Sequence, residues 1–323
     1  MQYRSLGTTG IDVSVIGFGA WGIGGRTVGE TSYGETDDAV SLAALSCALE
    51  NGISLYDTSP AYGDGRSETL IGKAFKGKRD RVVIATKLGI QSWTSEPDYS
   101  AEAIRRSVDG SLRRLGSDYI DILQFHNAPL DYLGGHPEII EELEALVQAG
   151  KIRAWGMSLK RPDDGVVAID KYSPSSIQVN INMLDMRAVN TGLTEKAMAS
   201  GVGLIARTPL CFGFLTQTIE RDAVFASGDH RNAWSRAQIH RWLDGADSML
   251  DVVAKSTVEE TAAQSALRFC LSVPGVTAVI PGLLTPEEVA INVAAGDMPP
   301  LDLNEFTEIL NINKKVDFFV PRS

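Results

Sequence analysis

The sequence predicts an α/β protein of the (β/α)8 barrel class, on three observations. Eight short apolar runs rich in Val and Ile recur along the 323 residues. Helical patterns alternate with them throughout, as βα repeats require. The runs are mostly continuous in their apolar character, as parallel strands covered on both faces are. A doubly wound open sheet is the competing arrangement, but it leaves edge strands and usually has fewer units.

The N-terminal stretch "QYRSLGTTGIDVS" reads as a β-hairpin with "TTG" as its turn, placed to plug the bottom of a barrel. The first apolar strand follows as "VSVIGFG", Val13 to Gly19. Its end runs into "GFGAWG", which spells G-x-G-x-x-G, the dinucleotide fingerprint of a doubly wound domain. That fingerprint needs a helix opening directly behind it and an acidic residue about 20 positions on. Here "IGGRTVGETSYGETDD" follows, with four more glycines and no apolar periodicity. A helix does not start on such glycines without a large entropic cost. The first helix lies in "ETDDAVSLAALSCALENG", with Thr36, Asp37 and Asp38 as its N-terminal signal and Gly52 as its end. The glycines therefore serve a loop.

The next strands are "ISLYDT" from Ile53, "VVIATK" from Val82, "YIDILQF" from Tyr119 and "IRAWGMS" from Ile152. Then come "SIQVNIN" from Ser176, "GLIARTPL" from Gly203 and "VTAVIPG" from Val276. Between them, "AEAIRRSVDGSLRRLG" and "PEIIEELEALVQAGK" carry apolar residues at helical spacing and end near Gly. No linker divides the chain, so residues 1–323 read as one barrel domain. One unit is oversized. Between Arg207 and Val276, the excess "TQTIERDAVFASGDHRNAWSRAQIHRW" is polar and reads as a long loop after the seventh strand. It carries Asp229, His230 and Arg231 together, on the face where barrel enzymes keep their sites.

Composition excludes several classes. A net charge of -11 argues against a duplex nucleic acid partner. No apolar run approaches the roughly 18 residues that span a bilayer, and "MQYRSLGTTG" has no apolar core of a signal peptide. Cys47, Cys211 and Cys270 have neither disulfide-framework nor zinc spacing, which suits a reducing cytoplasm. His126, His136, His230 and His240 show no metal-ligand spacing, so no metal is expected.

In a barrel the strand ends point to the catalytic face. The second strand ends in Asp57, with Tyr62 five residues on in "DTSPAYGDGRSE". The third ends in Lys87, the fourth runs into His126, the fifth ends in Ser158, and the sixth carries Gln178 and Asn180. A phenol has a pKa near 10. A neighbouring ammonium stabilises its phenolate, a carboxylate holds that ammonium, and a His can hydrogen-bond a carbonyl oxygen. Together these make a proton donor aimed at an oxygen that gains negative charge. That suits carbonyl reduction beside a hydride donor. Singly, each residue also suits a purely structural role, as an interior Asp57–Lys87 ion pair, a loop aromatic at Tyr62 or a core histidine at His126. Four on one face favour function.

The run "YDTSPAYGDGRSETLIGKAF", with "VVIATK", "YIDILQFH" and "AVIPG", resembles the aldo-keto reductases over essentially the whole chain. The resemblance implies a (β/α)8 barrel that binds NAD(P)(H) without a Rossmann domain. It implies Asp57, Tyr62, Lys87 and His126 as the catalytic tetrad, with Tyr62 the acid, Lys87 and Asp57 its tuners, and His126 the group that orients the carbonyl. Ser158, Gln178 and Asn180 match positions that hold the nicotinamide carboxamide. Gly213, Phe214 and Leu215 match the loop that passes the pyrophosphate, and Asn292 matches an adenine contact. The loop after the first strand would lie beside nicotinamide and substrate, with Gly19 letting the backbone approach and Trp21 walling the pocket. Substrate choice falls to loops near Trp21, Trp93 and the chain end "DFFVPRS", beside Tyr62 and His126. The implied partners are the dinucleotide and an aldehyde, ketone or sugar. Barrels of this family also serve as ion-channel auxiliary subunits, which keeps a non-enzymatic cofactor sensor as the alternative.

Two features set this chain apart. Arg207 stands where many family members carry a Tyr that stacks on the nicotinamide, and a guanidinium can stack there or pair with the pyrophosphate. The family prior is NADP(H), whose 2′-phosphate asks for Lys or Arg just after the last strand. Here Gly282, Leu283 and Leu284 supply no cation, and Glu287 and Glu288 are acidic. Arg231 in the long loop is expected to reach the cofactor phosphates, since a planar, always-charged donor suits them. Glu288 suits a free 2′-hydroxyl, which leans the expectation to NAD(H) or dual use, with Arg231 as the one cation that could stand in across the loop for the missing Lys or Arg.

Overall fold

A computed structural model describes residues 1–29, 32–255 and 258–319. Strands β1 (Tyr3–Ser5) and β2 (Asp12–Ser14) form an antiparallel hairpin with Ser5 opposite Asp12. Then come β3 (Phe18–Gly19), β4 (Leu55–Asp57), β5 (Val83–Leu88), β6 (Ile120–His126), β7 (Ile152–Ser158), β8 (Ser176–Asn180), β9 (Gly203–Arg207) and β10 (Val276–Ile280). These eight form one parallel sheet in chain order. Parallel bridges from Ile16 to Val279 and from Gly19 to Gly282 join its two ends, so the sheet closes into a barrel.

The helices are α1 (Asp38–Glu50), α2 (Arg66–Ala74), α3 (Ala101–Leu115), α4 (Leu130–Gly134), α5 (Glu138–Gln148) and α6 (Pro162–Tyr172). They continue as α7 (Arg187–Asn190), α8 (Leu193–Ala199), α9 (Arg236–Val253), α10 (Ala262–Ser272), α11 (Pro286–Ala294) and α12 (Leu303–Lys315). Local chemistry sets their ends. Asp37 caps α1 by accepting from the Val40 amide, and Gly52 behind it takes a φ of 85°. One apolar layer lies between strands and helices, and a second fills the barrel. In the second, Leu6, Ile11 and Val13 of the hairpin pack with Leu55, Ile122 and Ile205, so the hairpin seals the barrel bottom.

Two expectations need correction. Val13 to Gly19 is not one strand: Val13 and Ser14 pair within the hairpin, and only Phe18–Gly19 joins the barrel. The Ser14 hydroxyl donates to the Ile16 carbonyl at 2.6 Å and accepts from the Ser54 amide at 2.9 Å, turning the chain at that corner. The oversized segment is also not all loop. Ser235 caps α9 by accepting from the Gln238 amide, and Ile239, Trp242, Leu243, Ala246 and Leu250 bury one helical face. His240 therefore sits on a helix, and the irregular stretch after β9 runs over residues 208–235, apart from single turns at Cys211–Gly213 and His230–Ala233.

Candidate active site

The C-terminal strand ends gather the expected residues. Asp57 closes β4, Lys87 lies in β5, His126 closes β6, and Tyr62 sits in the turn between β4 and α2. Lys87 is fully buried, and its Nζ donates to Asp57 Oδ1 at 2.5 Å and to the Thr58 carbonyl at 2.8 Å. The same ammonium lies 4.9 Å from the Tyr62 ring centroid. The Tyr62 and His126 rings meet edge to face with centroids 6.1 Å apart. Trp93 completes the group, 6.3 Å from the Tyr62 ring and 5.6 Å from His126.

Burial raises the Tyr62 pKa, with Lys87 opposing the rise and Asp57 adding to it. Tyr62 is only half-buried, so solvent moderates that cost. Burial works against the Lys87 charge too, but Asp57 and Tyr62 outweigh it, and the ammonium is held. Burial, then Lys87, Arg207 and Lys160, push the His126 pKa well below its ordinary value, so the imidazole is neutral. Its Nδ1 lies 3.3 Å from the Ser59 hydroxyl.

Asp57 Oδ2 faces two amides. Gln178 donates to it at 2.7 Å and Gln124 at 3.2 Å. Gln124 was not among the expected residues. Its signal lies in "YIDILQFH": a strand alternates faces, so Gln124 shares the inward face with His126 two residues on. It also stands opposite Lys87 in the β5–β6 register.

The adjoining strand ends form a second cluster. His126 stands opposite Ser158, Ser158 opposite Gln178, and Asn180 opposite Arg207. The Ser158 hydroxyl donates to Gln178 Oε1 at 3.0 Å. Arg207 donates to Asn180 Oδ1 at 2.8 Å, to the Leu159 carbonyl at 3.0 Å and to the Ser158 hydroxyl at 3.2 Å. Its guanidinium thus fastens β7, β8 and β9 together.

The long loop crosses the mouth. The His230 amide donates to the Ser32 carbonyl at 2.9 Å, and the His230 ring packs 4.6 Å from Trp21 and 4.7 Å from Tyr33. Arg231 gives Nε and Nη2 to Asp229, and its guanidinium covers Tyr33 and Phe225 at 5.1 and 4.4 Å. Its Nη1 lies 3.8 Å from where a Cβ on Gly213 would stand. Gly213 has φ 95°, and the Phe214 and Leu215 side chains are buried in the core. Only the backbone of that segment can face a ligand.

The loop before α11 holds the last group. Thr285 caps the helix through the Glu288 amide, with Pro286 at its first position. Glu288 Oε2 accepts from the Leu284 amide at 2.7 Å, and a side chain at Gly282 would meet nothing within 4 Å. Asn292 is buried, and its Oδ1 has no protein partner.

The "GFGAWG" glycines turn out to be close to protein. Gly19 donates its amide to the Pro281 carbonyl at 2.8 Å, and a Cβ there would stand 2.7 Å from that oxygen. A Cβ on Gly22 would stand 2.4 Å from Leu284. These glycines let the first and last strands of the barrel meet. Of the chain end, Phe319 packs on Trp242 at 6.1 Å, while residues 320–323 lie outside the described residues.

Among the described residues no group of three or more His, Cys, Asp and Glu side chains could hold a metal ion. Nor is any of their helices long and apolar enough to cross a membrane. What the site does offer is polar reach: the orphaned Asn292 oxygen, Arg231 beside Gly213, and the Ser158–Gln178–Asn180 amides and hydroxyl. That set fits a dinucleotide with an amide at one end and a base at the other.

Comparison with known proteins gives the family. The sequence profile of the Aldo/keto reductase family matches residues 15–314. The chain is 33% identical over 299 residues to the aldo-keto reductase YhdN of Bacillus subtilis, covering 90% of this chain and 87% of that one. It is 32% identical over 311 residues to the NADH-specific methylglyoxal reductase of Escherichia coli, covering 91% and 93%. The structure of the glycerol dehydrogenase of Gluconobacter oxydans superposes with a TM-score of 0.80 at 26% identity, covering 99% and 98%. The barrel, its hairpin and these matches together place the chain in the aldo-keto reductase family.

Proposed function

We propose that the protein is a nicotinamide-dependent oxidoreductase that interconverts a small carbonyl compound and its alcohol, with Tyr62 as the acid and base. The observation that carries this is the buried Lys87–Asp57 pair set against the Tyr62 ring. A charged ammonium there stabilises the phenolate without itself reacting. In reduction the Tyr62 hydroxyl gives its proton to the carbonyl oxygen, and in oxidation the phenolate takes it back. His126, being neutral, offers a ring N–H to the same oxygen without adding a charge. Trp93, against both rings, narrows the space in which a substrate lies, and Trp21 walls the same mouth from the loop after β3.

A nicotinamide bound here supplies or accepts the hydride. Ser158, Gln178 and Asn180 would hold its carboxamide, with Arg207 fixing two of the three. The Gly213–Leu215 backbone and Arg231 would meet the phosphates, and Asn292 the adenine. Glu288 and the bare Gly282–Leu284 loop support NAD(H), or use of both cofactors. A carboxylate near a 2′-phosphate costs on the order of a few kcal/mol at a partly buried site. The NADH-specific relative from Escherichia coli makes that choice familiar among similar chains.

The test is turnover of a panel of aldehydes, ketones and sugars by wild type and Tyr62→Phe. The variant should lose roughly 10²-fold or more in kcat, with the dissociation constant for the cofactor little changed. Near-normal turnover would sink the assignment of Tyr62. Cofactor binding with no turnover of any carbonyl would favour the non-enzymatic sensor.

A further inference from the structure

We infer that Gln124 is a positioning residue that holds Asp57 in the rotamer from which it serves Lys87. This rests on the proposed role of Tyr62 and names a residue that role needs. Asp57 has two oxygens with two duties. Oδ1 takes the Lys87 ammonium at 2.5 Å, and Oδ2 is held by Gln178 at 2.7 Å and Gln124 at 3.2 Å.

The two amides are not equivalent. Gln178 is shared: its Oε1 accepts from the Ser158 hydroxyl at 3.0 Å, and Ser158 is also bonded by Arg207. A ligand that engages Ser158 and Gln178 therefore pulls on the Asp57 contact. Gln124 has no such second attachment. It is fully buried, and its Oε1 has no partner in the protein. Leaving an acceptor unpaired in the barrel is costly. Turning the amide over would instead set that oxygen against the Asp57 carboxylate. The orientation is thus dictated by Asp57, and Gln124 is the one donor to Oδ2 that no cofactor contact competes for.

The β5–β6 register explains why this position is used. Gln124 stands directly opposite Lys87, so its side chain enters the barrel in the layer where the ion pair lies. Without it, Oδ2 is free to turn whenever Gln178 is engaged. Lys87 then follows the carboxylate, the Tyr62 phenolate loses part of its support, and Tyr62 becomes a weaker acid. The groups that act on the Tyr62 hydroxyl are Lys87, Asp57 and Arg207, and the substitution removes none of them, so a change in Tyr62 reports a change in where Asp57 and Lys87 stand.

The experiment compares wild type with Gln124→Leu, and with Gln124→Met should the branched side chain prevent folding. Tyr62 ionisation is read from tyrosinate absorbance with the oxidised dinucleotide bound, each protein against its Tyr62→Phe counterpart, so that no turnover is needed. The expected result is ionisation of Tyr62 at a pH higher by about half to one unit and, where turnover is measurable, kcat lower by roughly 10-fold. The cofactor dissociation constant should stay within about twofold of wild type. An unmoved Tyr62 titration in a folded variant overturns the inference, even if wild type proves to reduce no carbonyl. A titration that moves while cofactor binding weakens to the same degree as in Gln178→Leu also overturns it, since Gln124 would then belong with the cofactor contacts.

Discussion

Gln178 donates a hydrogen bond to Asp57 across the barrel at 2.7 Å. The first residue is a proposed carboxamide contact, and the second is the partner of Lys87, the proposed support of Tyr62. Their bond makes one network of Tyr62, Lys87, Asp57, Gln178, Ser158 and Arg207. Perturbations at Ser158, Gln178 or Arg207 should therefore be felt at Tyr62.

Arg207 is the first place to look. It donates to Asn180, Ser158 and the Leu159 carbonyl at once, which a lysine cannot copy. Arg207→Lys should keep the charge and raise the cofactor dissociation constant by roughly 10-fold, about 1.4 kcal/mol. Equilibrium fluorescence titration measures this. A constant within twofold of wild type would show that the three bonds have no part in binding.

Arg231 is held at Nε and Nη2 by Asp229, with Nη1 turned toward Gly213. Arg231→Ala should raise the cofactor dissociation constant by several-fold, roughly 1 kcal/mol, and leave kcat at saturating cofactor unchanged. Unaltered binding would mean that the side chain only fastens the loop to Tyr33 and Phe225.

Glu288 turns its carboxylate onto the loop at Leu284, where a 2′-phosphate would need a cation. Wild type should show a higher kcat/KM with NADH than with NADPH, or similar values. Glu288→Arg should move the ratio toward NADPH by roughly 10-fold or more. A strong wild-type preference for NADPH that the substitution leaves unmoved ends the hypothesis.

Burial holds the His126 pKa well below 6.5, its ordinary value and the one it regains on unfolding. Below about pH 6.5 the unfolded chain therefore binds a proton that the folded chain refuses. Stability is full above that pH and falls as the medium is acidified through it. His126→Asn should flatten the slope of unfolding free energy by up to about 1.4 kcal/mol per pH unit between roughly pH 6 and 5. Denaturant melts of both proteins across that range provide the check. Parallel slopes would show that His126 takes up its proton in the fold.

The barrel was legible because its strands are apolar runs and its helices amphipathic, and each signal is local. That Asp57, Lys87 and His126 lie close together was legible because strand ends point one way in a barrel, and Tyr62 follows Asp57 by five residues. What escaped depends on contacts across the chain. Val13 looks like the same strand as Phe18, yet a hydroxyl at Ser14 turns the backbone between them. Gln124 is one polar letter in an apolar strand, and only the β5–β6 register sets it beside Lys87. The glycines of "GFGAWG" spell a loop in the sequence, but that Pro281 and Leu284 lie against Gly19 and Gly22 shows only in the fold. The polar stretch before Trp242 hid a helix, since its apolar face shows only from Ile239 onward.

The hairpin at the N-terminus gives the molecule the form of a cup rather than a tube. Leu6, Ile11 and Val13 sit in its base, packed into the strands they cover. Side chains of the hairpin and the strands pack the space above that base, so small molecules meet this barrel at the opposite rim, where the strand ends and the long loop lie. The first residues of the chain thus help to fix which end is floor and which is mouth.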